Sequence, residues 1–500
     1  MSLHRTFSAI RWCAVGLLLG GCEATNRWFD DRVDARSTHR EAAVARSESL
    51  SPPAGVHSYD QPVFEDEITL VSNEQSSLLH DQEVAILAPA ESETTGTSLT
   101  LAHLEQLALE NNPAIRQASA SVSKAAGFRN QVGLLPNPTL SYNGQQLLDA
   151  GTDQHMATLS QGIVTGQKLR LNQHVLNQAV QAQLWEVEVQ RYRVLTDVRT
   201  SYFEALAAQR RLALTTDFQV VATKGVHVAE IRKEALVGSL PEILQAEIQL
   251  QEVELQQQQA GYQRTAAWKE LTAIVGVPDL ALTQLDGELP KSGQAKDWDA
   301  VYTEIISSSP ELYAAQSRVD RANANLCRQG VQAIPNIELQ LSAGKDYGTN
   351  SDFAQVGVGL PVPIFNRNEG NISAAQAEYC RATQDYQRLK MSIKSRLARA
   401  AQDYDSALAA VQRYEGKILP KAEQSLSLSE QAYSAQEFDF LQVLIARRTY
   451  FESNLRAVDA RRQLAQATAQ LEGMLLSGGL GDTTDTTEDD GLRGQALSGQ

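Results

Sequence analysis

The sequence predicts a mainly α-helical fold with a small β part, in which one helix-strand-strand-helix unit occurs twice. Three observations support this prediction. Apolar residues recur at spacings of three and four over unusually long stretches, which is typical of packed helices. Gln, Ala and Leu are abundant while Phe, Trp and Tyr make up only 6% of the chain, a composition that favours helices. The motif Tyr-x-x-Ala-Leu-Ala-Ala-x-x-Arg occurs at 202–211 and again at 404–413.

Other landmarks of the chain are duplicated as well. Asn112-Pro113 has its counterpart in Ser309-Pro310, at a separation of roughly two hundred residues that is far longer than the period of a solenoid unit. The separation drifts slowly along the chain, as small loop insertions in a duplicated unit would cause. We therefore predict two repeats, at 98–288 and 289–477.

Each repeat is predicted to contain one long helix. In the first repeat the pattern predicts a helix over about 167–236, and such a helix would be about 100 Å long at 1.5 Å per residue. In the second repeat the corresponding apolar seam covers 386–418, and Pro420 predicts a kink. Tyr202 and Tyr404 occupy equivalent seam positions and are expected to pack adjacent helical rods together. Shorter helices are predicted at 241–275, 298–333 and 438–474.

Two strands are predicted before each long helix. In the second repeat, apolar residues alternate with polar or small ones over 337–342 and again over 355–364, which predicts strands with one apolar face. The first repeat shows the same pair more weakly, around 138–147 and 155–164. Four strands cannot close a membrane barrel, because the smallest barrels have about eight strands and lipid does not tolerate an open edge. If these strands enter a membrane, several chains must share one barrel.

The N-terminus is predicted to be an export signal with a lipid anchor. Arg5 and Arg11 precede an apolar run that is too short to span a bilayer. The run leads into Leu19-Gly20-Gly21-Cys22, which resembles a bacterial lipobox, so Cys22 would be acylated after removal of a signal peptide at 1–21. An ordinary secretory signal with an incidental cysteine is the alternative. An inner-membrane retention signal would place aspartate directly after the acylated cysteine. Glu23 stands at that position instead, which favours the outer membrane.

Two further segments lack a sustained apolar period. Residues 22–97 are rich in Ser, Glu, Thr, Asp and Pro and are expected to form a disordered tether to the lipid anchor. Residues 478–500 contain the run TTDTTEDDG and are expected to form a disordered acidic tail.

The charge and the motif content exclude several function classes. The formal net charge of -16 and the pI near 5.1 leave no broad basic surface for nucleic acid. The eight histidines are scattered, and neither a metal-ligand motif nor a phosphate-binding loop is present, so we predict no metal site, no cofactor and no enzymatic activity. Cys327 and Cys380 have no CxxC partner and are expected to be buried small apolar residues, or a disulfide if they meet.

Several segments resemble the TolC-type outer-membrane efflux protein family. They cover most of 98–476 and include LTLAHLEQLALENNPAIRQA at 99–118, LPNPTLSY at 135–142 and GLPVPIFNRNEGNISAAQAE at 359–378. The last of these and the Ser-Gln-x-x-x-x-Gly-Gln-Lys-Leu-Arg run at 160–170 are most similar to the CzcC-like heavy-metal efflux branch. The resemblance implies a homotrimer with a single 12-stranded transmembrane β-barrel in the outer-membrane lipid and a helical tunnel through the periplasm. It also implies two partners, a periplasmic adaptor protein and an inner-membrane resistance-nodulation-division pump.

The resemblance further implies that the tunnel closes at its periplasmic helical turns. In the second repeat Tyr433 matches the family motif, but Gln436 replaces its usual glycine and Phe438 stands where a basic residue can sit, so the family's ionic latch is expected to be absent. In the first repeat the segment 237–241 matches the other turn. The candidate entrance residues are therefore Gly238, Glu242, Tyr433, Gln436, Glu437 and Asp439. The alternative for the acids is a solvated helix end.

The predicted function is an outer-membrane exit duct that passively conducts substrates from a pump and adaptor to the cell exterior, with heavy-metal cations as candidate substrates. One alternative is a drug or type I protein secretion duct of the same fold. Another is a lipid-anchored coiled-coil scaffold without a pore, which would leave the strand pairs in both repeats unexplained.

Overall fold

A computed structural model describes residues 99–148, 151–236, 238–435, 437, 439–485, 488 and 491–498. The predicted signal peptide, Cys22 and the tether lie outside these residues. The first repeat contains α1 (Leu101–Asn111), α2 (Pro113–Val132), β1 (Thr139–Gln145), β2 (Gln154–Ile163), α3 (Lys168–Glu234) and α4 (Leu240–Val275). The second contains α5 (Trp298–Ser308), α6 (Pro310–Gly330), β3 (Ile337–Asp346), β4 (Ser351–Gly359), α7 (Glu369–Arg413), α8 (Leu419–Ser434) and α9 (Phe440–Glu472), and α10 (Leu492–Ser498) follows. The mainly helical, duplicated fold with four strands is confirmed.

The two long helical segments differ in continuity. Helix α3 is unbroken over 67 residues, which corresponds to about 100 Å at 1.5 Å per residue, and it packs against α2, α4 and α6. In the second repeat a π-helical turn, Tyr414–Ile418, separates α7 from α8. Pro420 lies in the first turn of α8, where its ring would clash with a carbonyl of a regular preceding turn. The wider π turn relieves that clash, so the interruption lies where the kink was predicted.

The helix predicted over 298–333 is two helices in the structure. The chain breaks at Ser309, whose backbone is extended with φ −66° and ψ 117°, because a following proline disfavours helical geometry. Asn112 breaks the first repeat in the same way before Pro113. Its side-chain oxygen accepts a hydrogen bond from the Ala114 amide at 2.9 Å, and its side-chain nitrogen donates to the carbonyl of Ile274 at 2.7 Å. The break thus ties α2 to the end of α4.

The four strands form one antiparallel sheet in the order β1-β2-β3-β4. One face carries an exposed apolar row that crosses every strand, formed by Leu140, Leu159, Leu341 and Val356. The other face is polar, as the 2.9 Å hydrogen bond between the hydroxyls of Thr158 and Ser342 illustrates. Strand β4 ends at Gly359, earlier than predicted, because the prolines that follow cannot donate ladder hydrogen bonds.

The linker at 276–297 between the repeats is held by the tyrosines of the duplicated motif. Tyr202 and Tyr404 are buried in separate apolar clusters. The hydroxyl of Tyr202 donates to the carbonyl of Asp286, and that of Tyr404 donates to the carbonyl of Gln294 at 2.8 Å. The sequence analysis anticipated seam packing for both residues but not this second role, in which equivalent residues bind one connecting segment.

Two expectations differ from the structure. Cys327 and Cys380 are free and exposed rather than buried or bridged, because both lie on helix faces that no neighbouring element of the described chain covers. The expectation of disorder after residue 478 does not hold for the described part of the tail, where Leu492–Ser498 is helical and its Leu492 and Ala496 are buried. Burial of these two apolar side chains, together with main-chain hydrogen bonds, stabilises the helix. The charge-rich composition of the segment gave no indication of it.

Candidate functional site

Two helical turns, one in each repeat, are flanked by helix ends that pack against one another. The first joins α3 to α4 and the second joins α8 to α9. A small apolar cluster lies between them, with Ala229, Ile243, Ala246, Phe440 and Leu444 buried and Tyr433 at its edge. The cluster brings residues more than 200 positions apart into one site, which places turns from both repeats side by side.

A close backbone approach shapes the first turn. The Gly238 amide donates to the carbonyl of Arg232 at 2.9 Å, and a Cβ atom at Gly238 would lie only 2.8 Å from the Cβ of Arg232. Only glycine fits this contact without displacement. Pro241 then stands in the first turn of α4, where its missing N–H is not needed. The turn therefore presents Arg232 beside the start of α4.

Arg232 links the two turns. Its guanidinium donates to the hydroxyl of Tyr433 at 3.0 Å, and its central carbon lies 5.3 Å from the centroid of the Tyr433 ring. Its Nε atom is 3.5 Å from a carboxylate oxygen of Glu242. We call these three residues, Arg232, Glu242 and Tyr433, the tip latch. An ion pair, a hydrogen bond and a cation–π contact thus converge on one arginine.

The tip latch is partly shielded from water. The side chains of Arg232 and Glu242 are 27% and 25% exposed, and the two facing atoms are themselves buried. Ser239 donates to the second oxygen of Glu242 at 2.9 Å, which orients the carboxylate. Because salt screens a partly buried pair less than an exposed one, this ion pair can hold Arg232 against the start of α4 at physiological ionic strength.

The structure brings some of the predicted entrance residues together and separates others. Gly238, Glu242 and Tyr433 meet around Arg232, as described above. Glu437 and Asp439 are exposed, and the Asp439 side chain makes no capping hydrogen bond although it precedes α9. Gln436 lies outside the described residues.

Sequence reasoning missed Arg232. It sought a basic partner at position 438, within the second turn, whereas the structure supplies one from α3 in the first repeat. One signal in the sequence could have indicated it. Arg232 is a basic residue in the last turn of a long helix, and the motif tyrosine of the other repeat, Tyr433, was already a candidate entrance residue. Within the part of the chain that the structure describes, no three His, Cys, Asp or Glu residues form a group that could hold a metal ion.

The fold and the paired turns can be compared with known proteins. A family model described as "Outer membrane efflux protein" matches residues 104–277 and 301–475, one segment within each predicted repeat. The chain belongs to the outer membrane efflux protein family. The resemblance stated from the sequence motifs is therefore confirmed.

Curated relatives include the cobalt-zinc-cadmium resistance protein CzcC of Cupriavidus metallidurans. It is 26% identical over 380 residues, which cover 75% of this chain and 90% of CzcC. Outer membrane protein OprJ of Pseudomonas aeruginosa is 24% identical over 397 residues, covering 73% of this chain and 82% of OprJ. Both alignments extend over most of the repeated region, so the similarity concerns the whole duct and not one motif.

Solved structures share the fold. CusC superposes with a TM-score of 0.61 at 19% identity, covering 80% of this chain and 97% of CusC. VceC of Vibrio cholerae also superposes with a TM-score of 0.61 at 19% identity, covering 76% of this chain and 96% of VceC. At such identities the likeness concerns the architecture alone.

Family membership defines the setting in which this outer membrane efflux protein works. It is an exit duct of a tripartite efflux system, located in the outer membrane and extending into the periplasm. It acts as a trimer with a periplasmic adaptor and an inner-membrane resistance-nodulation-division pump. The family and these neighbours are efflux channels and not enzymes. Among the residues that the structure describes, no helix is long and apolar enough to cross a membrane.

Proposed function

We propose that this exit duct conducts cations, and that divalent heavy-metal cations are its substrate class. The observation that carries the proposal is the polar face of the sheet. The strand register places two acids on that face, Glu338 and Asp346, and neither Lys, Arg nor His occurs among its described strand residues. Lys345 and His155 both lie on the opposite face. Three chains would then present six carboxylates to the channel.

The two faces of the sheet have distinct roles in this proposal. The apolar row of Leu140, Leu159, Leu341 and Val356 is exposed in the described chain, and lipid is the environment that suits it. The polar face must then line the water-filled passage. Strands β1 and β4 each leave one edge unpaired within the chain. Joining these edges between three chains closes one barrel of twelve strands and satisfies their hydrogen bonds.

Three further observations support cation transport. The chain carries a net charge of -16, and a passage lined by one sign of charge concentrates counter-ions. CzcC is named as a cobalt-zinc-cadmium resistance protein, and the alignment covers 90% of it, compared with 82% of OprJ. A duct needs no resident metal site for this task, because tight binding would slow passage.

Planar-bilayer recording tests the proposal. Under a salt gradient the parent trimer should show a reversal potential of cation-selective sign, and the double variant Glu338→Gln/Asp346→Asn should move it towards zero. Asp352→Asn is the matched control, because Asp352 lies opposite Lys345 on the other face of the sheet and should leave selectivity unchanged. A parent channel that shows no cation preference would refute the proposal and favour a drug or protein duct.

We also infer that Cys22 carries a lipid anchor and that the chain has no catalytic activity of its own. The lipobox-like sequence and the absence of a nucleophile or phosphate-loop motif from the sequence support these inferences. Cys22→Ala should abolish labelling of the mature chain by radioactive palmitate while outer-membrane insertion partly persists. Continued labelling of the variant would contradict the anchor, and nucleotide hydrolysis by the purified parent would contradict the second inference.

A further inference from the structure

The chain continues beyond the second repeat as a structured segment. We call the described residues 478–485 and 491–498 the C-terminal strap. The family match ends at residue 475, so the strap lies outside the matched segments. It follows α3 from Asp197 back to Asn172, towards the start of that helix.

The strap begins at a close contact with the middle of α3. The Asp197 carboxylate accepts hydrogen bonds from the amides of Gly478 at 3.1 Å and Gly479 at 2.6 Å. Gln190 donates its side-chain amide to the carbonyl of Gly479 at 2.7 Å. A Cβ atom at Gly479 would lie 2.8 Å from the Cα of Val194. The backbone therefore approaches α3 as closely as only glycine permits.

Further along, the strap contacts the first repeat through α2. Asp485 pairs with Lys124 at 2.8 Å. Arg493 donates to the carbonyl of Gln131 in the last turn of α2, at 2.6 Å, and to that of Leu134 just after the helix, at 2.8 Å. The arginine thus binds the strap to the C-terminal end of α2, where helix carbonyls lack regular intrahelical partners.

The end of the strap lies over two fully buried cations. Lys168 begins α3 in the first repeat and Arg328 lies near the end of α6 in the second, and the side chains of both are 0% exposed. No carboxylate among the described residues forms an ion pair with either. Burying two unpaired cations costs free energy unless polar groups compensate them.

Three amide side chains provide part of the compensation and connect the cations to the strap, while Nη1 of Arg328 is buried without a hydrogen-bond partner among the described residues. Their oxygens accept from the cations: Asn172 from Arg328 Nε at 2.5 Å, Gln332 from another Arg328 nitrogen at 2.9 Å, and Asn336 from Lys168 at 2.9 Å. Their nitrogens donate to the strap: Asn172 to the carbonyl of Leu492 at 2.9 Å, Gln332 to that of Gln495 at 2.6 Å, and Asn336 to that of Ala496 at 2.6 Å. Each amide therefore links a buried cation to a strap carbonyl.

We propose that the C-terminal strap is a clamp that joins the two repeats beneath the sheet by closing this amide relay over Lys168 and Arg328. Asn172 comes from the first repeat, and Gln332 and Asn336 come from the second. The strap carbonyls fix all three amides in the orientation that turns their oxygens towards the cations. Seating the strap also excludes water from the cations. This role is separate from ion conduction and does not depend on the substrate.

Chemical modification of Lys168 in the purified full-length trimer tests the clamp. The test variant is Leu492→Asp, which places a charge at a side chain that is 1% exposed, and the matched control is Leu497→Asp on the 37% exposed side of the same helix. Modification by an amine-reactive reagent is followed by peptide mass spectrometry and normalised to Lys269, which is exposed on α4. Leu492→Asp should raise modification of Lys168 by about tenfold or more, because local opening limits the reaction of a buried group. Leu497→Asp should match the parent.

A milder variant keeps the test decisive if Leu492→Asp does not assemble. Arg493→Gln removes the contacts to Gln131 and Leu134 but leaves the packed side chains of α10 in place, and it should raise Lys168 modification several-fold and lower the temperature at which the trimer dissociates. Unchanged modification and unchanged dissociation in an assembled Arg493→Gln or Leu492→Asp trimer would overturn the clamp. Equal increases in Leu492→Asp and Leu497→Asp would overturn it as well, because the effect would then not depend on the buried side of α10.

Discussion

Lys168 is the residue whose burial has the clearest thermodynamic consequence. Burial, reinforced by the positive charge of Arg328, lowers the pKa of Lys168 from 10.5 to about 8. Burial also lowers the pKa of Arg328 to about 10. Between pH 8 and 10.5 the unfolded chain binds more protons at Lys168 than the folded chain does. The free energy of unfolding contributed by this group therefore increases with pH across that window.

We predict that Lys168→Met stabilises the protein more at pH 7 than at pH 10. At pH 7 the variant removes a buried charge, whereas at pH 10 the lysine is already neutral in the folded state. Urea unfolding of the trimer at both pH values measures the difference. Lys269→Met, at an exposed site, is the control for general effects of losing a lysine. A stabilisation by Lys168→Met that is equal at both pH values would contradict the assigned pKa shift.

The sequence could identify some of these residues and not others, for a physical reason. Glu242 and Tyr433 stand at recognisable positions of the turns, so motif comparison found them. Arg232, Lys168 and Arg328 acquire their roles only through partners from distant segments. Arg328, for example, binds Asn172 across 156 positions. Nothing in the local pattern around Lys168 signals burial, because a lysine at the start of a helix is ordinarily solvated.

At the scale of the elements, the two duplicated tyrosines each use both the ring and the hydroxyl to hold the linker between the repeats. Each ring fills a buried apolar cluster, and each hydroxyl binds a linker carbonyl. A phenylalanine would keep the packing and leave the carbonyl without its donor. An alanine would remove both. The two substitutions therefore separate the contribution of the ring from that of the hydroxyl.

We predict that Tyr404→Phe lowers the free energy of unfolding by about 1–2 kcal/mol, through the lost hydrogen bond to the Gln294 carbonyl. Tyr404→Ala should lower it by about 3 kcal/mol or more, because it also leaves a cavity, and it should reduce trimer yield. Tyr262→Phe, at an exposed tyrosine, is the control and should change little. The measurement is denaturant unfolding followed by circular dichroism. If Tyr404→Ala assembles and melts like the parent, the packing role assigned to this residue is wrong.

Periodicity predicted the elements well where one residue pattern dominates. The uninterrupted pattern of α3 and the alternation of β3 were sufficient to place both. The π turn at Tyr414–Ile418 was foreseen only as a kink, since Pro420 identifies an interruption but not its hydrogen-bonding form. Helix α10 was not foreseen, because seven residues with two buried side chains give too weak a pattern against an acidic, threonine-rich background.

At the scale of the whole molecule, different kinds of interaction stabilise its two ends. In the proposed assembly the sheet lies at one end, between lipid and the passage, while the tip latch joins helices of both repeats beside the turns at the other. The hydrogen bond and the cation–π contact between Arg232 and Tyr433 cross from one repeat to the other, whereas the ion pair of Arg232 with Glu242 lies within the first repeat. A partly exposed cation–π contact contributes a modest free energy, on the order of 1 kcal/mol, so the contact between the repeats can be broken without unfolding either of them.

We predict that Arg232→Ala and Glu242→Gln raise the single-channel conductance of the trimer in planar bilayers. Arg232→Ala removes the contact with Tyr433 that links the turns, and Glu242→Gln removes the charge that positions Arg232 for it. The expected change in unfolding free energy is small. Asp439→Asn is the matched control, since this exposed acid of the second turn lies outside the tip latch, and it should alter conductance less than either latch variant. Parent-like conductance in both latch variants would show that the latch does not restrict the entrance.

The pairing of β2 with β3 determines when the sheet can form. These strands belong to different repeats, and the side chains that bond across them include Gln154 and Asp346, 192 positions apart in the chain. Contacts between such distant segments are entropically expensive to close and form slowly. During synthesis, β1 and β2 leave the ribosome long before their partner exists, with an apolar row and a free edge exposed. The hairpin must therefore remain protected from aggregation until the second repeat arrives, and the sheet is expected to complete itself only after the helices have brought the two strand pairs together.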